Sequence, residues 1–280
     1  MSAETRARSV ARTEILLLIA LCAFVGLVVL AQEILGLHAP VKLPPPVALP
    51  LLLVPALLWL GYFYLQDRLE PEPKHYVIGV FLLGAFVAFP VAHFLAELTG
   101  VPPWGGERLT GSTVFAAIVP LGLSQELAKL LVVRYSVYLS DEFDEPMDGI
   151  IYMTAAGIGF ATAENLAALA AVDHRVHLAT FVMNATVTTL AHGSIAGVLG
   201  YTLGVARFAT AAHRGPTVLV GLIVAATLNG VFGLLQALVR VNGLQVVPWR
   251  GVAFAAVFAG CVFAGTLTLM RRHLERSTHV

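Results

Sequence analysis

The chain has 280 residues, of which 58% are hydrophobic and 12% charged, and its 17 basic and 17 acidic side chains cancel. With a mean hydropathy of +0.83, this composition excludes an ordinary soluble domain and describes a polytopic membrane protein. The net charge of zero identifies no partner beyond the lipid bilayer, and no nucleic-acid partner is expected.

Apolar segments fall near residues 14–33, 47–65, 76–97, 112–138, 149–171, 178–205, 215–239 and 251–270. Each can cross roughly 30 Å of hydrocarbon at about 1.5 Å per residue, so about eight spans are expected. The first follows an Arg-rich start and has Val29 and Ala31 at small-residue positions, as a cleaved signal would, but its length predicts a retained helix. Cys22 and Cys261 each lie alone in a span and predict small buried apolar residues rather than a disulfide or a Cys-rich metal site.

Between the first two spans, "HAPVKLPPPVALP" contains three consecutive prolines and predicts a stiff, extended external connector. The next connection, "YLQDRLEPEPKHY", is a cytoplasmic turn in which Pro71 and Pro73 exclude a continuous helix. "DEFDEPMDG" puts five acids in nine residues and reads as a solvated linker, since the Asp spacing of a calcium loop is missing. In the sixth span Gly193, Gly197, Gly200 and Gly204 share one helical face, and "AAGIGFATA" in the fifth has similar small residues; both predict close helix packing.

Orientation follows from the basic residues. With the N-terminus inside, cytoplasmic segments collect Arg6, Arg8, Arg12, Arg68, Lys74, Arg134, Arg207, Arg214, Arg271, Arg272 and Arg276, against Lys42, Arg108, Arg175, Arg240 and Arg250 outside. The expectation is an all-α membrane helical bundle of about eight transmembrane helices in the cell membrane, with both termini cytoplasmic. No connection is long enough to fold alone, so residues 1–280 form one integral-membrane domain.

Few polar side chains enter these spans. They are Glu126 and Lys129 in the fourth, Glu164 and Asn165 in the fifth, His192 in the sixth, Asn229 in the seventh, and His93 and Glu97 toward the outer end of the third. A charge at mid-bilayer costs about 3 kcal/mol on insertion scales, so retained ones mark function by default. Counted from the helix ends, Glu126, His192 and Asn229 lie about half-way through their spans, with Glu164 nearer the outside, so the four can meet. Glu126 and Lys129 are three residues apart and can form an ion pair that neutralises itself and pins a helix contact. His192 and Asn229 alone also read as interhelical hydrogen-bonding contacts. Glu164 has no basic partner on its own helix, which suits a general base or proton relay.

No Ser-His-Asp set, HExxH or GxGD pattern appears in the spans. Two buried carboxylates and a histidine suffice to activate a water and pass its proton to a leaving amine, and an Asn amide can stabilise an oxyanion. Buried Glu, Lys and His also serve ion-coupled transporters, although the inverted repeats of such proteins are not evident here. One histidine with two carboxylates from three helices is a sparse zinc set, and neither a metal nor another cofactor is expected.

At "YLQDRLEPEPK", "SQELAKL", "MDGIIYMTAAGIGFATAENL", "AHGSIAGVLGYTLG" and "TLNGVFGL" the sequence resembles the PrsW-type intramembrane glutamic proteases, relatives of the CAAX prenyl protease superfamily. The family-like core covers about 47–239, with 1–46 before it and the helix and basic tail of 251–280 after. The resemblance implies a water-activating glutamate at Glu126, a second polar shell from Glu164 and Asn165, a histidine at His192, and membrane-anchored protein or peptide substrates, with no obligatory metal. Lys129, Asn229 and Asp148 are its supporting residues. Two positions depart from the pattern: Gln125 stands where the first of two adjacent glutamates is expected, and Ala225 where a His-x-x-x-Asn motif would begin. An amide cannot accept a proton from water, so Gln125 also raises a silent family member that binds transmembrane helices.

Overall fold

A computed structural model describes residues 3–66, 72–99, 111–241 and 249–277. Residues 67–71 of the proline-rich turn, with Arg68 and Pro71, and the external Arg108 lie outside the described residues. The side chains of Arg6, Arg8, Arg240, Arg250, Arg271, Arg272 and Arg276 lie outside them too.

Helices dominate: α1 (Ala3–Ile34), α2 (Pro45–Tyr64), α3 (Lys74–Leu83), α4 (Phe89–Leu98), α5 (Gly111–Ala116), α6 (Leu123–Ser136), α7 (Pro146–Ala171), α8 (Leu178–Phe208), α9 (Ala211–Val241) and α10 (Trp249–Ser277). Single π-helical segments, Gly84–Ala88 and Ala117–Gly122, join α3 to α4 and α5 to α6. Two short strands, β1 (Val41–Lys42) and β2 (Arg175–Val176), pair antiparallel and tie the α1–α2 connector to the α7–α8 connector.

Five helical stretches among the described residues are long and apolar enough to cross a membrane: Ile15–Ile34, Pro45–Tyr64, Lys74–Leu98, Leu178–Phe208 and Ala211–Gln236. Ala253–Leu269 adds a shorter apolar helix. The chain is an all-α, multi-pass membrane protein. α7 is not among these five and meets little lipid: every residue from Met147 to Ala161 is buried. It packs against α8, α2, α3 and the first π segment. Outer faces carry Leu27, Phe86, Val220 and Val257, all exposed, as side chains solvated by lipid would be. Cys22 and Cys261 are exposed on this outer surface, not buried in the bundle as their isolation within spans suggested; a small apolar thiol costs little against lipid.

The prolines behave differently from the stiff extended connector expected. Of the three consecutive prolines only Pro44 is extended, at φ −68 and ψ 152, and it caps α2, while Pro45 and Pro46 open the helix. The first helical positions need no N–H donor, and the fixed proline φ suits them. Likewise the acidic linker ends in a cap: Glu145 and Asp148 form a reciprocal capping box at the start of α7, with the Glu145 N–H donating to Asp148 Oδ2 at 2.6 Å.

Glycines let the central helices touch backbone to backbone. A Cβ on Gly200 would strike the Gly149 carbonyl, and one on Gly149 would strike the Gly200 carbonyl. Gly200→Leu should therefore wedge α7 from α8 and destabilise the bundle by about 1–3 kcal/mol or more. Gly26→Leu should change little, because nothing lies within 4 Å of a Cβ there. Thermal unfolding of both variants in detergent micelles checks the contrast; equal midpoints would refute the packing account.

Candidate functional site

The site begins at an interruption in a helix. Pro120 has no N–H to give, and it lies within the second π segment, directly before α6. Its carbonyl instead accepts a hydrogen bond from Ser124 Oγ. Small residues bring α9 against this wide turn: a Cβ on Gly122 would meet the Ala226 carbonyl, and one on Gly230 would meet Ile118. Backbone proximity here is what places Asn229 beside Gln125 and Glu126.

From there the polar side chains form one continuous line. Asn229 Nδ2 donates to Gln125 Oε1 at 2.9 Å and to Glu126 Oε1 at 2.6 Å. Lys129 Nζ donates to the same Glu126 oxygen at 2.6 Å and lies 3.2 Å from His192 Nδ1. On the other edge of the ring, His192 Nε2 lies 2.8 Å from Glu164 Oε2. Glu126 and Lys129 are fully enclosed, at 0% exposure each, whereas Glu164 keeps 18%. Four helices thus supply the four side chains whose depths coincide in the sequence, and α7 and α8 are held in position by a further close approach, Gly157 against the His192 carbonyl.

Aromatic rings enclose the line. Lys129 Nζ lies 4.8 Å from the centroid of Phe160, whose ring is 5.3 Å from that of His192. Phe232 meets His192 edge-on at 5.9 Å. Neither phenylalanine stood out in the sequence, yet Phe160 precedes Glu164 by four residues and Phe232 follows Asn229 by three, the spacing that shares a helical face. These rings lower the local dielectric and strengthen each charge contact between them.

Other expected residues lie elsewhere. Asn165 is buried but turns its amide to the Ala185 carbonyl at 3.5 Å, a contact between α7 and α8. Asp148 sits sixteen residues before Glu164, about 24 Å along the helix axis. It neighbours the buried Glu72, which accepts from the Tyr152 hydroxyl, so it belongs to a separate buried cluster joining the α2–α3 turn to α7. His93 and Glu97 are exposed on α4, away from the line. Asn229 directs both amide protons at acceptors on α6, so it holds the carboxylate rather than facing an oxyanion.

Residues 72–271 match the family described as PrsW family intramembrane metalloprotease. The chain belongs to the PrsW family. It is 34% identical to Protease PrsW of Geobacillus kaustophilus over 160 residues, 57% of this chain and 67% of that protein. Against Protease PrsW of Bacillus subtilis the identity is 32% over 178 residues, 64% and 77% of the two chains. Against that of Clostridioides difficile it is 26% over 183 residues, 65% and 76%. No solved structure matches. The resemblance read from "SQELAKL" and "MDGIIYMTAAGIGFATAENL" holds as to family, and the chain is a membrane protease by kinship.

The PrsW description implies a metal, and the residues can be tested against one. Among the described residues no three His, Cys, Asp or Glu side chains gather as a metal-holding set. His192 turns Nδ1 to the Lys129 ammonium and Nε2 to the Glu164 carboxylate, so one edge of its ring is taken by a cation. Between Glu126 and His192 stands an ammonium group, where a metal would need to touch both. This arrangement does not fit a bound metal ion.

Proposed function

We propose that this PrsW-family chain is an intramembrane endopeptidase of the glutamic type, hydrolysing peptide bonds of membrane-anchored proteins with a water activated by Glu126. The observation that carries the reading is the asymmetry of that carboxylate. Oε1 is held by Lys129 and Asn229, while Oε2 is buried and accepts no hydrogen bond from the protein. A carboxylate held on one oxygen and without a protein donor on the other can take a proton from water as the water attacks a carbonyl carbon. The proton then passes to the departing amine. The Lys129 ammonium lies close enough to offset negative charge developing there, in surroundings that strengthen the effect. His192 and Glu164 extend the line to the partly exposed end, a route along which protons can exchange.

Purified protein in liposomes should cleave single-pass membrane peptides, and His192→Ala should lose most of that activity. Unchanged cleavage by the variant would remove His192 from the site.

A second reading has one specific support. Gln125 occupies the first position of the motif, and its amide oxygen is engaged by Asn229. If that position must carry the base, the chain is a silent member that retains a groove for transmembrane helices. Gln125→Glu separates the two. Under the glutamic reading based on Glu126, cleavage stays within about tenfold of wild type, the span that a change of one hydrogen-bonding neighbour supports. Cleavage that appears only in Gln125→Glu would establish the silent reading.

A further inference from the structure

The side chain least explained by water activation is Lys129. Its ammonium is fully enclosed, a costly placement for a cation that only neutralises a neighbour three residues away. The geometry shows what else it does. An ammonium group has three N–H donors and no acceptor, so the nitrogen it meets at 3.2 Å, His192 Nδ1, must present a lone pair. The ring's proton is then on Nε2, the nitrogen that lies 2.8 Å from Glu164 Oε2. A proton on Nδ1 would set N–H against N–H beside a positive charge. The same ammonium binds Glu126 at 2.6 Å, and its remaining side faces the Phe160 ring. Every direction around the cation is therefore used.

We propose that Lys129 is a positioning residue that acts as the resident cation of this site: it holds His192 in the Nε2–H tautomer and fills the place between Glu126 and His192 that a divalent metal would require. In metal sites the partner of one imidazole nitrogen decides what the other nitrogen does. Here an ammonium plays that part, and the other edge of the ring, the one nearest Glu164, carries the proton. The bearing of this on catalysis rests on the glutamic-peptidase reading, whereas the tautomer and the cation stand on the contacts alone.

The test uses the full chain in detergent micelles with ring-nitrogen-labelled histidine. The His192 signals, among nine histidines, are identified by their loss in His192→Gln. Wild type should show Nδ1 unprotonated and Nε2 protonated, with neither signal moved by added zinc. Lys129→Arg should keep that pattern, because a guanidinium also donates without accepting. Lys129→Met should lose it, giving a mixture of tautomers. A protonated Nδ1 in wild type, stoichiometric zinc shifting the His192 signals, or an unaltered tautomer in Lys129→Met would each overturn the proposal. Should Lys129→Met not fold, the wild-type tautomer, the zinc titration and Lys129→Arg still decide it. Where cleavage is measurable, Lys129→Met should lower kcat with KM little changed. Absence of cleavage with the expected tautomer would sink the peptidase reading and leave this one intact. Normal cleavage with the opposite tautomer would do the reverse.

Discussion

Replacing Glu126 with glutamine should lower kcat on a single-pass membrane substrate by about 10²–10⁴-fold, the contribution of a well-placed general base. The shape is preserved: a glutamine oxygen can still accept from Lys129 and Asn229, the two groups that hold Oε1. What disappears is the basic oxygen at Oε2, buried and without a protein donor. Stability should fall by about 3–5 kcal/mol, because the enclosed Lys129 ammonium loses its countercharge. Because the side chain acts on the reacting water, kcat and kcat/KM should drop together. A Glu126→Gln enzyme that cleaves at the wild-type rate would place the base on another residue.

The second large effect concerns stability. Lys129→Met leaves the Glu126 carboxylate enclosed with only the Asn229 amide beside it, and removing one partner of a buried pair costs about 3–5 kcal/mol. Changing both, Glu126→Leu with Lys129→Met, should restore stability to within about 1 kcal/mol of wild type or raise it, since well-packed apolar residues often replace a buried pair without loss. That double variant should be stable and inactive. Thermal unfolding of the four proteins in one detergent forms the cycle. A single variant costing less than about 1 kcal/mol would mean that the pair is not closed off from water. Recovery in the double variant would show that the pair is kept for chemistry rather than for folding.

Much of the arrangement is legible in the residues. The scarcity of charge within apolar segments singles out Glu126, Lys129, Glu164, His192 and Asn229, because the bilayer penalises each such residue strongly. Shared depth then anticipates their meeting, since rise per residue is nearly constant in a helix. The glycine face of α8 anticipates close packing, and Gly200 against Gly149 realises it. Asp148 shows where the same approach runs out. It lies within a distinctive motif, but its partner Glu72 is distant in sequence, and only the docking of the α2–α3 turn onto α7 draws the two together. The proline run misled for a local reason: the same fixed φ serves an extended connector and the first turn of a helix.

The amino-acid order by itself determined the helical membrane class, the family and the short roster of polar side chains, because hydropathy and spacing act along one chain. Which atoms of that roster touch was decided by the tertiary structure. Lys129 could be paired with Glu126 from their three-residue separation, but its contact with His192, sixty-three residues later, depends on how α6 and α8 pack. So does the choice of ring nitrogen that faces each neighbour. A hydrogen bond requires position to within a few tenths of an ångström, and here that precision comes from a π-helical turn and glycine contacts whose geometry no residue pattern spells out.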